Sequence, residues 1–283
     1  MATECQDFQI EEATITAIHE AFSQNHPTCT QLVDYYLNRI ETLNPILRAV
    51  VEVNPDARDL AKLLDEEREK ARENGGVLGA LHGIPVLVKD TIGTKDKMGT
   101  TAGSYALMGS VVAREATVVE RLRKAGAVIM GKASLSEWYK IRSIDHLPNG
   151  WCARAGQGVE KTNEYGQDGF IEAEEMHGNE EEIAKIVEKL DILCKEGFEK
   201  MMKENELDAM VTPGTKAIPV MAIGGYPGIT VPAGYDENGI PFGMLFCGLK
   251  GTEPKLIEIG YGFEQSTLAR KPPLFDSSEW HED

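Results

Sequence analysis

Apolar positions recur along this chain in two rhythms, one helical and one compact. In TCTQLVDYYLNRIETLNP, residues 28–45, Leu32, Tyr35, Tyr36, Ile40 and Leu43 fall on one face at helical spacing. Thr28 and Gln31 form a possible capping box at its start, and Asn44-Pro45 predicts its stop. A second helix is expected from about Asp56 to Glu73, before Asn74-Gly75-Gly76. The rhythm then shortens. IPVLVK (84–89) and AVIM (127–130) are apolar runs bounded by glycine or charge, which suits buried strands, and TVVERLRK (117–124) between them reads as a helix. The run Val86, Leu87, Val88 predicts a strand buried on both faces.

The second half continues the alternation. Glu181 to Asn205 is expected to be one long helix whose stripe of Ile183, Ile186, Val187, Leu190, Cys194, Phe198 and Met201 faces a core. Strands are expected at Asp208–Thr212, Gly228–Pro232 and Phe242–Cys247, and a last helix from Thr252-Glu253-Pro254 to about Arg270, with threonine as its cap. Helices interleaved with short buried strands predict an α/β protein built on a mixed sheet covered by helices.

Composition narrows the function classes. A formal charge of −17 argues against a nucleic-acid surface, which needs clustered cations to neutralise phosphates. Between Val159 and Asp208 there are 16 Asp and Glu against 6 Lys, which reads first as a solvated helix face and second as an acidic docking surface. The five cysteines and six histidines are scattered without metal-ligand spacing, so no structural metal is expected and reduced thiols fit a cytoplasmic protein. Neither a signal-peptide pattern nor an apolar run of membrane-spanning length is visible, so no membrane partner is expected.

Three candidate chemistries can be weighed on residues alone. Gly126 to Lys132 has the glycine and lysine spacing of a phosphate loop, but position 133 is alanine and the intervening residues are strand-like, which removes the magnesium hydroxyl and the amide cradle. Lys89 ends an apolar strand, where burial could lower its pKa and make it a base, although a lysine at a strand end more often reaches solvent. The glycine-rich loop Gly150 to Gly158, GWCARAGQG, has the texture of a segment bordering a site, yet from Val159 the chain turns acidic and helical.

GALHGIPVLVKDTIGTKDKMGTTAGSYAL, continuing through ATVVERLRKAGAVIMGKASLSEW to GWCARAGQG, resembles the amidase signature family of serine hydrolases. LDAMVTPG, IGGYPGITVPAGYDENGIPFGMLFCGLKGTEPKLIEIGYGFEQ and residues 28–55 resemble the same family, so the resemblance covers nearly the whole chain. It implies a mixed sheet enclosed by helices, hydrolysis of a small-molecule amide, and no metal or organic cofactor. It also implies a catalytic set of one lysine, a bridging serine and a nucleophilic serine, in which VLVKD gives the lysine role to Lys89. Through the bridging serine the lysine takes the nucleophile's proton and returns one to the leaving amine. TTAGS, containing Ser104, is read as a turn near the site.

Both family serines should follow GWCARAGQG, in segments of the form G-S-S-S-G and D-G-S-I. Ser23, Ser104, Ser110, Ser134, Ser136, Ser143, Ser266, Ser277 and Ser278 all lie outside such segments. The chain therefore reads as one amidase-like domain joined across a missing central block, with residues 1–158 before the joint and 159–283 after it. Loss of the nucleophile predicts an inactive protein. The alternatives are a binding or regulatory protein that associates with full-length amidases, or a substitute nucleophile such as Ser134 or Cys152.

Overall fold

The computed structural model describes residues 8–143, 146–156, 162–175 and 179–273, and the chain forms two compact units, 1–176 and 177–283. In the first unit α1 (Ile15–Ser23) starts on Thr14, whose hydroxyl accepts from the Ala17 N–H at 3.1 Å. Helix α2 (Cys29–Leu47) carries the expected capping box: Thr28 Oγ1 accepts from Gln31 N at 3.1 Å, and Gln31 Oε1 from Thr28 N at 2.8 Å. Its end differs from expectation. Pro45 lies inside the helix, which continues to Leu47 and closes on Arg48 in the left-handed region. So near the end the ring removes little helix bonding, and the Asn44 side chain fixes the exit by pairing with both N–H and C=O of Val50 at 2.9 Å.

Strand β1 (Val50–Val53), α3 (Ala57–Asn74), β2 (Pro85–Lys89), α4 (Thr117–Lys124) and β3 (Val128–Ala133) follow, and then two short helices, α5 (Thr162–Tyr165) and α6 (Asp168–Glu175). β3 is central. It pairs parallel with β2 and antiparallel with β1, making a mixed three-stranded sheet. The parallel pair needs a crossover, which the 90–127 segment with α4 supplies. Ile18, Phe22, Leu32, Val33, Ala61, Val128 and Met130 form the largest core cluster of this unit. β2 is not buried on both faces: Leu87 is 37% exposed, because β2 is an edge of this sheet among the described residues.

The second unit opens with α7 (Glu180–Leu193), widens into a π-helical segment, Cys194–Glu199, and resumes as α8 (Lys200–Glu204). Strand β4 (Met210–Pro213) starts two residues later than expected, and α9 (Ile218–Gly224) precedes β5 (Gly228–Tyr235), β6 (Pro241–Cys247) and α10 (Glu253–Thr267). The sheet is antiparallel in the order β4-β6-β5. Its two clusters are Cys194, Phe198, Met202, Tyr226, Leu245 and Cys247, and Val231, Phe246 and Leu256.

Two expectations here need correction. The stripe on the long helix is core only towards its C-terminal end: Cys194 and Phe198 are buried, Met201 is half-buried with its neighbour Met202 buried in its place, and Ile183, Ile186 and Val187 are 52%, 59% and 57% exposed. Helical periodicity identifies a face but does not supply a partner for it. Helix α10 ends at Thr267, because Leu268 adopts left-handed dihedrals, and the Thr252 hydroxyl donates back to Leu249 C=O at 2.7 Å instead of capping the helix. No helix among the described residues is long and apolar enough to cross a membrane.

Candidate active site

Lys89 is the last residue of β2 and Asp90 the first of the loop that follows. Asp90 is fully buried, and its carboxylate accepts from Thr101 N (3.2 Å), Thr101 Oγ1 (2.5 Å) and Gly103 N (3.0 Å). A buried carboxylate is tolerated only when hydrogen bonds replace its lost hydration, and here they fold TTAGS into a tight turn around it. Ala102 and Gly103 take positive φ, 51° and 76°. A side chain at Gly103 would put its Cβ 2.7 Å from Cys152 Cβ, so glycine is what lets this turn press against the 150–156 loop.

Arg154 ties that loop to the turn. Its Nη1 donates to Thr101 Oγ1 at 2.8 Å and lies 3.9 Å from Asp90 Oδ2, while Nη2 donates to Glu52 Oε2 of β1 at 3.0 Å. The Arg154 N–H also bonds to Gly103 C=O at 3.1 Å. Thr101 thus gives its one hydroxyl proton to Asp90 and receives one from Arg154. A second buried ion pair fixes the other end: Arg142 donates to Glu137, and Glu137 Oε2 also accepts the Ala153 N–H at 3.0 Å. Glu137 N reaches Trp151 C=O at 2.8 Å and Trp138 N reaches Ala102 C=O at 2.9 Å, so strand end, turn and loop form one hydrogen-bonded corner.

Lys89 is half-buried, and its ammonium sits 4.3 Å from the centroid of the Tyr139 ring, a cation–π contact. Tyr139 belongs to a strained run: Trp138, Tyr139 and Lys140 have φ of 50°, 56° and 67° without being glycine. A second lysine of this corner, Lys132, lies in the central strand. It is fully buried, with Nζ donating to Ile92 C=O at 2.6 Å and Thr100 Oγ1 at 3.2 Å, and burial lowers its pKa against the opposing pull of Asp90, Asp96 and Glu52. The phosphate-loop spacing of 126–132 accordingly leads into a strand, as expected.

The serines of this region hold backbone. Ser104 Oγ accepts from Ala106 N at 3.2 Å, and Ser136 Oγ from Gly150 N at 2.9 Å, while the Ser134 N–H bonds Ala49 C=O at 2.8 Å. Cys152 is fully buried, and burial pushes its thiol above the ordinary value, opposite to what a nucleophile needs. The joint Gly158-Val159 lies outside the described residues. Among the described residues, no group of three or more His, Cys, Asp and Glu is arranged to hold a metal.

The sequence alone singled out Lys89 and the two loops, and did not single out Asp90, Thr101, Glu52 and the Glu137–Arg142 pair that hold the corner together. The available signal was placement: acids and arginines inside glycine-rich stretches, where an unpaired charge would be costly to bury.

Comparison with known proteins adds five observations. A family model described as Amidase matches residues 31–150. An Arabidopsis thaliana protein described as a probable amidase is 31% identical over 476 aligned positions, covering 95% of this chain and 92% of the relative. A Schizosaccharomyces pombe protein described as a putative amidase is 48% identical over 153 positions, 54% of this chain and 25% of that protein. In fold, the chain matches the native peptide amidase of Stenotrophomonas maltophilia with a TM-score of 0.84 at 22% identity, over 95% of this chain and 100% of the other. An amidase family protein of Bacillus anthracis gives 0.81 at 19% identity, over 94% and 93%.

Proposed function

The chain belongs to the amidase signature family, and on that premise we propose that it is a catalytically silent member whose lineage reaction is hydrolysis of a carboxylic amide C–N bond. Lys89 is the surviving base of a lysine, bridging serine and nucleophilic serine set. The observation that carries this reading is the serine inventory: the nine serines all lie outside the segments where the family's pair is expected, and Ser104 and Ser136 spend their oxygens on backbone N–H groups. Removing a serine-hydrolase nucleophile costs on the order of a million-fold in turnover. A retained lysine has no proton to take from a hydroxyl that is missing.

The division into residues 1–158 and 159–283 belongs to the same proposal. It is supported by the Arabidopsis alignment, which runs over 476 positions although this chain has 283 residues. A central block present in the relative and absent between Gly158 and Val159 accounts for that difference. A cytoplasmic setting is supported by the free thiols of Cys29, Cys152, Cys194 and Cys247. The test is an assay with aryl and aliphatic amides of small carboxylic acids. No turnover above background is expected, and turnover abolished by Lys89→Ala would overturn the reading.

A second reading has its own observation. Ile183, Ile186, Val187 and Leu193 are exposed on one helix, which supports a binding or regulatory role in association with a full-length amidase. Co-purification of the two chains from co-expression supports this reading. A product that elutes alone, with no change in the amidase's activity on mixing, contradicts it.

A further inference from the structure

Away from the amidase corner, the first unit carries a cavity of about 410 Å³ between α1, α3 and the 76–82 segment. Arg68, Arg72, His19 and His82 bring nitrogen to it, while Phe22 and Leu78 give it an apolar wall. We propose that this cavity is a binding site for a small organic carboxylate, its charge held by His82 and the two arginines and its apolar body laid against Phe22 and Leu78.

The protonation pattern of His82 carries the argument. The side chain is 3% exposed, and Arg68 Nη2 lies 2.9 Å from its Nδ1. Arginine has only donors, so Nδ1 must accept. The neutral imidazole then carries its proton on Nε2, and burial together with the Arg68 charge keeps it neutral by lowering its pKa. Nε2 is buried with no hydrogen-bond partner, and Glu67 Oε2, on a side chain 61% exposed, stays 3.5 Å away. A buried donor left in this condition calls for an acceptor. His19 Nε2, from α1, is likewise buried with no partner.

The surroundings select the acceptor's charge. Arg68 stacks on the Phe22 ring with 4.0 Å between guanidinium carbon and centroid, and Arg72 is locked onto Phe22 and Ser23 C=O at 2.8 and 2.7 Å. Both cations line the cavity, whereas their carboxylate partners, Asp65 at 3.5 Å from Arg68 and Glu69 at 3.2 Å from Arg72, do not. Since each guanidinium already shares its charge with one carboxylate, the remainder suits a monoanion better than a phosphate dianion. A metal cation is disfavoured twice, by the two arginines and by the proton on Nε2. The site is also preset. His82 N bonds Gly79 C=O at 3.0 Å, and Leu81 N and Gly83 N bond Ala125 and Gly126 C=O at 2.9 Å, which ties the segment to the neighbouring turn.

Calorimetric titration of the full chain with benzoate, benzamide and inorganic phosphate tests the site. Expected are one saturable benzoate site, binding of benzamide and phosphate at least about tenfold weaker, and a loss of about tenfold or more for benzoate in His82→Ala. Ala80→Leu, at an exposed lining position whose change spares the core, should block benzoate, while Lys89→Ala should leave it unchanged. The proposal is overturned by no benzoate binding, by benzamide or phosphate binding as tightly, or by full benzoate affinity in Ala80→Leu. Should His82→Ala fail to fold, the Ala80→Leu result decides alone.

Discussion

The corner around Asp90 and the first half of α7 stand at opposite ends of one scale. At the corner the buried carboxylates are matched, Asp90 by two N–H groups and a hydroxyl and Glu137 by Arg142 and the Ala153 N–H, and Arg154 is held by Thr101 and Glu52, while Arg142 keeps Nε and Nη2 buried without a hydrogen-bond partner. On α7, Ile183, Ile186 and Val187 face solvent, and the charges beside them form only exposed pairs such as Lys185 with Glu181. The first region pairs most of its buried polar groups within its own unit, whereas the second leaves an apolar face exposed. The corner is therefore held by hydrogen bonds that close locally, within the first unit.

The sharpest way to break this contrast is Glu137→Ala. It strands the buried Arg142 guanidinium and frees the Ala153 N–H, and should cost about 3–5 kcal/mol, read by urea unfolding; a loss below about 1 kcal/mol would mean the corner is not held by this pair. Phe198→Ala, at the anchored end of the long helix, should cost about 3 kcal/mol from its lost core contacts. Asp90→Ala should cost on the order of 2–3 kcal/mol through unpaired donors on Thr101 and Gly103, with faster amide exchange at Gly103 as its local signature.

Smaller effects sharpen the comparison. His82 and Asp65 both have folded pKa values below their ordinary ones. His82 is shifted by burial and Arg68. At Asp65 burial pushes upward, but hydrogen bonds from Thr30 and Cys29 outweigh it. A depressed folded value means that the unfolded chain takes up protons first. Stability should accordingly be full above about pH 6.5, decline by His82 titration below that, and decline again below about pH 4 as Asp65 protonates. His82→Ala should remove the first decline from the stability–pH profile. Least of all, Ile186→Gln should change stability by no more than about 0.5 kcal/mol while raising the solubility limit, and a large destabilisation would show that the stripe is covered.

Much of the fold was legible because local rules governed it. The Thr28–Gln31 box, the strands at 84–89 and 127–130, and the β5 and β6 runs stand where pattern and turn residues placed them. Pro45 was misread as a stop because Asn44 clamps the chain onto Val50, six residues on, and so sets the exit beyond the proline, a side-chain contact that the pattern of apolar and polar positions does not encode. Of the candidate site, Lys89 and the turn at TTAGS were visible, since both sit in distinctive stretches. The Arg154 bridge was not, since Arg154 and Glu52 lie 102 positions apart and meet only through the fold. Nor could spacing tell that Lys132 and not Lys89 would be the fully buried lysine; that depends on which strand occupies the centre of the sheet.

The six residues Cys194–Glu199 have a further consequence. A π turn holds one residue more than the α turn it replaces, so it offsets the angular phase of whatever lies on either side by about 100°. Beyond it the buried face is accordingly shifted by one position from the numbering of the stripe, with Met202 buried where Met201 was expected. Excising a single residue there, such as the exposed Glu196, would let the helix rewind as an unbroken α-helix and swing residues 180–193 about a quarter-turn around the anchored Phe198 end. The direction in which that stripe looks out is set by one inserted residue, a coarse control that evolution or an engineer can operate without touching either surface.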